Sequence, residues 1–227
     1  MNLTLQTIPS TIISEILADS KFDGVVLDTE HGCFNNESLY SCIQVITSLD
    51  KKCFVRLTDF NKQLIRMCLD ASVDGLIFST IEDESIGYKI ISYCNYPINN
   101  GVRGCGLVRE NKWGKLPLAA KKPLIIAQIE TASSVENLSS LLQVPFDYYI
   151  IGPYDLSSSL RLPGNFENKT FKNYMEIIYD KIPLSKLGLF LPTFENMNTI
   201  SLDNKPELLI WGMDTNFITD GIKRVNV

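Results

Sequence analysis

The chain of 227 residues is 45% hydrophobic and 21% charged, a globular composition with enough apolar side chains for a substantial core. A net charge of -5 and a pI near 5.0, with lysines scattered along the chain, give no long-range attraction to phosphate backbones or anionic membranes, so neither nucleic acid nor a membrane is an expected partner. No run of about 18 uncharged apolar residues occurs, and the opening "MNLTLQTIPS" has no basic segment leading into a hydrophobic one, so a cytoplasmic location is expected.

The first strand candidate is "LTLQTI", followed by the amphipathic stretch "STIISEILA". "GVVLD" comes next and leads into "ESLYSCIQVITSL"; "CFVRL" leads into "KQLIRMCLDA"; "GLIFS" follows. The second half continues with "LIIAQIE", "SVENLSSLLQ", "YYIIG", "KLGLFL" and "LLIWGMD". The short β-branched runs read as buried strands, and the stretches between them repeat apolar residues at three- and four-residue steps, the period of a helix. Eight strand candidates alternating with helices predict a parallel sheet closed into a compact (β/α)8 TIM barrel, one domain over residues 1–227. A doubly wound open sheet writes the same alternation and is the competing architecture.

One long irregular piece, "CNYPINNGVRGCGLVRENKWGKLPLAAKKP", interrupts the rhythm, and long loops in compact domains are often functional. Its "GVRGCG" lacks the flanking strand and helix of a nucleotide-binding glycine loop, although its arginine is a candidate substrate contact. The six cysteines form no C-x-x-C pair, which leaves buried free thiols as the simplest reading.

Barrel active sites sit at the C-terminal rim of the strands, so the polar residues that end each apolar run are the informative ones. They are Asp28, Glu30 and His31 after the second strand and Arg56 on the third. Gln128 and Glu130 end the fifth, Asp155 follows the sixth and Asp214 the eighth. Alternate strand residues share a face, which pairs Asp28 with Glu30 and Gln128 with Glu130. Acids converging in one cavity repel unless a cation sits among them, and oxygen ligands suit magnesium or manganese, so a metal site is expected. Each residue also has a plainer reading. Asp155 and Asp214 fit helix caps, His31 fits a satisfied structural histidine, and Arg56 fits a rim salt bridge.

The segments "FDGVVLDTEHGCFN", "GVRGCG" with "WG" downstream, "IIAQIETASSVENL" and "YYIIGPYDLSSSL" together resemble the HpcH/HpaI class II aldolases. The resemblance runs from about Ser10 to Thr215. It implies a (β/α)8 barrel that makes or breaks carbon–carbon bonds between pyruvate and an aldehyde with a divalent metal, magnesium, manganese or cobalt, in a homo-oligomer built from dimers, such as a hexamer. By position, Glu130 and Asp155 would be the metal carboxylates, with Glu30 on metal-bound water. His31 would be the general base, oriented by Asp70, and Arg56 would hold the pyruvate oxygens. Gln128, Asp28 and the "GPYD" backbone at Gly152 and Tyr154 would complete the substrate side.

The chain departs from the family pattern at "LTDFN" after Arg56 and at Ser79, where the family has a proline. The stretch between Gly106 and Leu124 is short, and so is the C-terminal helix after Asp214, with the chain ending at Val227. A lyase acting on a CoA thioester is an alternative within the resemblance, and a barrel that has lost turnover and kept a binding role is another.

Overall fold

The computed structural model describes residues 1–191 and 206–225. β1 (Asn2–Gln6), β2 (Gly24–Asp28), β3 (Lys52–Leu57), β4 (Gly75–Phe78), β5 (Leu124–Ile129), β6 (Tyr148–Ile151), β7 (Leu187–Leu191) and β8 (Leu208–Met213) are parallel and pair in chain order. β8 pairs back onto β1, so the sheet closes. Closure decides between the two expected architectures, because an open doubly wound sheet would leave two edges unpaired. All eight strands fall on the apolar runs.

The helices among the described residues are α1 (Thr11–Ala18), α2 (Asn36–Ser48), α3 (Lys62–Asp70), α4 (Glu84–Cys94), α5 (Ala132–Glu136), α6 (Leu138–Leu141), α7 (Pro153–Ser159), α8 (Lys169–Lys181) and α9 (Asp214–Lys223). Small polar side chains start several of them. Asn35, Asn61, Asp83, Thr131 and Asn168 each accept a backbone N–H of the first turn, supplying a partner that the helix itself cannot. The end of the chain at Val227 lies outside the described residues.

Side-chain alternation splits the apolar residues into two layers. Leu5, Val26, Phe54, Ile77, Ile126 and Ile150 fill the barrel interior. Their strand neighbours Val25, Val55, Leu76, Ala127 and Ile151 pack outward against the helices. Each such side chain removed from water contributes about 1.5–3 kcal/mol of gross stabilisation before the entropy of ordering is counted. The inward parity has a direct consequence: two residues beyond Val26, Phe54 and Ile126 come Asp28, Arg56 and Gln128, which therefore face inward at the C-terminal end.

The N-terminal end of the barrel is pinned by aspartates that each precede an even-numbered strand. Asp23 accepts the Asn2 backbone N–H at 2.7 Å, Asp74 that of Cys53 at 2.8 Å, and Asp147 that of Ile125 at 2.8 Å. The long irregular loop lies at this same end. Arg109 donates to the Ala71 carbonyl and to Thr47 Oγ1, both at 2.8 Å, and Leu124 N–H donates to the Asp74 carbonyl. An open cleft of about 610 Å³ here is lined by residues including Lys52, Asp74, Arg109 and Trp113.

Barrel closure uses a bulge and a carboxylate. Leu3 faces Ile210 but Leu5 faces Met213, so β8 carries an extra residue, and Gly212 absorbs it at φ +58°. A Cβ on Gly212 would lie 2.7 Å from the Phe217 ring. Asp214, buried at 2% exposure, was expected as a plain helix cap. Its carboxylate accepts the first-turn backbone N–H of Thr215 at 2.9 Å and also the backbone N–H groups of Thr7 and Ile8 and the Thr7 hydroxyl, tying α9 to the end of β1.

Four cysteines, Cys42, Cys53, Cys68 and Cys94, are buried as expected, and Cys33 and Cys105 are exposed. Burial pushes the Cys94 thiol up to about 12, so it stays protonated and inert.

Candidate active site

The C-terminal rim gathers charged side chains from neighbouring strands. Arg56 donates from Nε to Asp28 Oδ1 at 2.8 Å and from Nη2 to Asp28 Oδ2 at 2.7 Å, a two-point pair with Asp28 fully buried. Burial alone would lower the Arg56 pKa, but the hydrogen bonds and charge of Asp28, with the charges of Glu30 and Glu130, outweigh it and the net direction is up. The plain salt-bridge reading of Arg56 is therefore part of the geometry. A guanidinium has five N–H groups, and the Asp28 bonds use two of them.

Glu30 sits one turn residue beyond β2, where its backbone N–H is received by Asp28 Oδ1 at 3.0 Å. Its Oε2 is 3.1 Å from Arg56 Nη1. That contact compensates charge without a directed hydrogen bond, and the buried oxygen has no donor among the described residues.

Glu130 follows β5 and is 3% exposed. Its Oε1 accepts both the Thr80 backbone N–H at 2.6 Å and the Thr80 hydroxyl at 2.7 Å, and its Oε2 accepts the Gln128 side-chain amide. Burial raises the Glu130 pKa, the Thr80 hydrogen bonds oppose this, and the negative charges of Glu30 and Asp155 add to the rise; the net direction is up. Gly152 leaves the space these groups need, since a Cβ there would lie 2.9 Å from Glu130 Cβ and 3.0 Å from both Gln128 Nε2 and Glu130 Oε2.

Asp155 stands in the first turn of α7, exposed and without a hydrogen-bond partner among the described residues. Gly152, at the cap position, makes no side-chain bond, so Asp155 is not the N-cap. Tyr154 is 45% exposed and packs its ring edge-on against Phe166 at 5.0 Å. His31 lies in the exposed turn after β2 and has no hydrogen-bond partner among the described residues.

Asp70, expected to orient His31, is placed away from this group. Helices of the barrel run back from the C-terminal rim to the N-terminal end, and Asp70 is the last residue of α3. Its Oδ1 accepts Arg103 Nη2 at 2.8 Å, and the Arg103 guanidinium lies 4.3 Å over the Tyr96 ring. Arg103, expected as a substrate contact from "GVRGCG", is 3% exposed in that pair and belongs to the same far end.

Thr80 is the site residue that sequence reasoning missed. It sits just past β4 at φ +53°, uncommon for a β-branched side chain, and no residue pattern announces that conformation. The only cue was position, a hydroxyl two residues beyond the strand end at Phe78.

The donor set fits a hard divalent cation. A buried carboxylate that its neighbours oppose, a buried Glu30 oxygen without a donor and a cradle kept open by Gly152 all favour positive charge there. No group of three or more His, Cys, Asp or Glu side chains is arranged around one point among the described residues. Glu130 and Asp155 are the carboxylates that would hold such an ion, with Glu30 beside them.

A closed parallel barrel with charged groups on its C-terminal rim defines an enzyme-type (β/α)8 scaffold. Residues 8–181 match the HpcH/HpaI aldolase/citrate lyase family, and the chain belongs to it. The 2-keto-3-deoxy-L-rhamnonate aldolase of Salmonella gallinarum (strain 287/91 / NCTC 13346) is 28% identical over 221 residues, covering 94% of this chain and 82% of that protein. The 4-hydroxy-2-oxovalerate aldolase of Rhodococcus jostii (strain RHA1) is 30% identical over 158 residues, covering 67% and 61% respectively. The crystal structure of an HpcH/HpaI aldolase/citrate lyase family protein from Burkholderia cenocepacia J2315 superposes with a TM-score of 0.88 at 20% identity, covering 99% of this chain and 92% of that one. This last likeness shows the fold.

Proposed function

We propose that the protein is a divalent-metal-dependent aldolase that cleaves or forms a 4-hydroxy-2-oxo acid, with pyruvate and an aldehyde as the two halves. The observation that carries the reading is Glu130, a buried carboxylate opposed by Glu30 and Asp155 and positioned by Thr80 and Gln128. Glu130 and Asp155 would hold the metal, and Glu30 would face its water. When bound, the cation supplies the positive charge that meets negative charge developing on the 2-oxo acid.

The chain's own groups divide the remaining work. Arg56, aimed by its two-point pair with Asp28, offers its free N–H groups to the oxygens of the 2-oxo acid. The first-turn N–H groups of α7 at Tyr154 and Asp155 have no intrahelical acceptor and point toward the same rim. In the cleavage direction His31 takes the proton from the C4 hydroxyl as the C3–C4 bond breaks and the electron pair of that bond goes to the pyruvate half, releasing the aldehyde; the proton held by His31 is then returned to C3 of the pyruvate half. Asp70 has no part in this within the chain, because its carboxylate is committed to Arg103.

The test is exchange of pyruvate methyl protons for deuterium by manganese-loaded protein, followed by turnover with short and sugar-derived aldehydes. His31→Ala is expected to retain manganese and lose about 10²- to 10⁴-fold in turnover. Absence of any exchange by protein with manganese verified as bound would sink the proposal.

A further inference from the structure

The two oxygens of Glu130 are not equivalent. Thr80 places two donors on Oε1, its backbone N–H at 2.6 Å and its hydroxyl at 2.7 Å, whereas Oε2 receives only the Gln128 amide. A carboxylate oxygen offers two lone pairs, so Oε1 is filled and Oε2 keeps one. The open side of Oε2 faces the start of α7: the space a Cβ on Gly152 would take is 3.0 Å from it, and Asp155 follows three residues later.

Thr80 is held there rather than resting there. Its φ of +53° is unfavourable for a branched side chain, and the segment around it is fastened on both sides. Ser79 directs both its backbone N–H and its hydroxyl to the Leu57 carbonyl at 3.0 and 3.1 Å, fixing it to β3. Glu82 receives the Thr131 hydroxyl at 2.6 Å, fixing it to the cap of α5 just beyond β5. The hydroxyl of Thr80 therefore has little freedom to leave Glu130.

We infer that Thr80 limits Glu130 to ligation through Oε2 alone and so sets the site for a small octahedral divalent cation in preference to calcium. This rests on the reading of Glu130 as a metal ligand. Calcium takes about six to eight oxygens and readily accepts both oxygens of one carboxylate, whereas magnesium demands a regular six-ligand shell and keeps several waters. A carboxylate with one oxygen already filled serves the second kind of ion. Thr80 is a positioning residue in this account, acting through Glu130.

Titration calorimetry of manganese and of calcium into the metal-free protein tests it. Thr80→Val keeps the branched shape and removes the hydroxyl, and the manganese-to-calcium affinity ratio is expected to fall about tenfold. Thr80→Ser restores the donor and is expected to return the ratio to within about twofold of the starting protein. Thr80→Gly, which relaxes the positive φ while removing the hydroxyl, is expected to show the same fall, so a folding defect in the valine variant does not conceal the effect. An unchanged ratio in either folded variant that lacks the hydroxyl, in a protein that binds manganese, overturns the role of Thr80 and leaves the metal reading standing. A starting protein that binds no manganese overturns both.

Discussion

Glu130 shows how one position carries opposing demands. The fold puts a carboxylate where burial and two negative neighbours disfavour its charge, and Thr80 only partly relieves this. With the pKa raised in the native state, the folded protein binds that proton more tightly than the unfolded chain does. Below the ordinary glutamate value of 4.5 this gives full benefit; the benefit is lost as pH rises through the higher native value, and above it the ionised group opposes folding. Metal-free Glu130→Gln is therefore expected to melt at a higher temperature than the parent at pH 7, with the gap closing on acidification. Calorimetry in chelator at several pH values checks this, and a gap independent of pH would contradict it. The sequence showed Glu130 plainly, because a carboxylate ending an apolar run in a parallel barrel has few other places to point. Thr80 stayed hidden because its role depends on a backbone angle.

Among the elements, the strands were legible and the helix directions were the harder part. Each apolar run became a strand because a residue buried on both faces leaves a continuous signature. Asp70 was misplaced for a reason that concerns direction. "CLDAS" identifies the end of a helix, but in this fold a helix end lies on the opposite side of the barrel from a strand end. The same geometry sets Arg103 and the long loop at the end opposite the C-terminal rim. Asp23, Asp74 and Asp147, in "FDG", "VDG" and "FDY" before β2, β4 and β6, each fasten the start of the preceding strand, a role that apolar periodicity does not announce. Asp74 also pairs with Lys121 at 3.2 Å. Asp74→Ala leaves the Cys53 N–H without its acceptor and is expected to destabilise the protein by about 1–3 kcal/mol in urea unfolding. Because this end of the barrel is remote from the rim, the manganese binding proposed for Glu130 and Asp155 should not change; a loss of affinity without loss of stability would contradict that separation.

For the whole molecule, the barrel was readable from the count of alternating units, but the way it closes was not. Nothing in "LLIWGMD" signals a bulge at Gly212, and Asp214 looked like any residue starting a helix. Its carboxylate in fact reaches across 207 positions of sequence to Thr7 and accepts three donors there and at Ile8. Asp214→Ala orphans those donors together at a buried site and is expected to cost about 3–5 kcal/mol, measured as a lowered urea midpoint at unchanged m-value.

The same contact carries a lesson about synthesis. A ribosome makes β1 long before β8, so the seam between them cannot form until β8 has emerged. Until then β1 presents a free hydrogen-bonding edge, the kind of surface on which unrelated chains add strands and aggregate. A nascent chain of this protein thus carries an unpaired strand edge from the making of β1 to the making of β8, and Asp214, just past β8, marks the point at which that edge is closed.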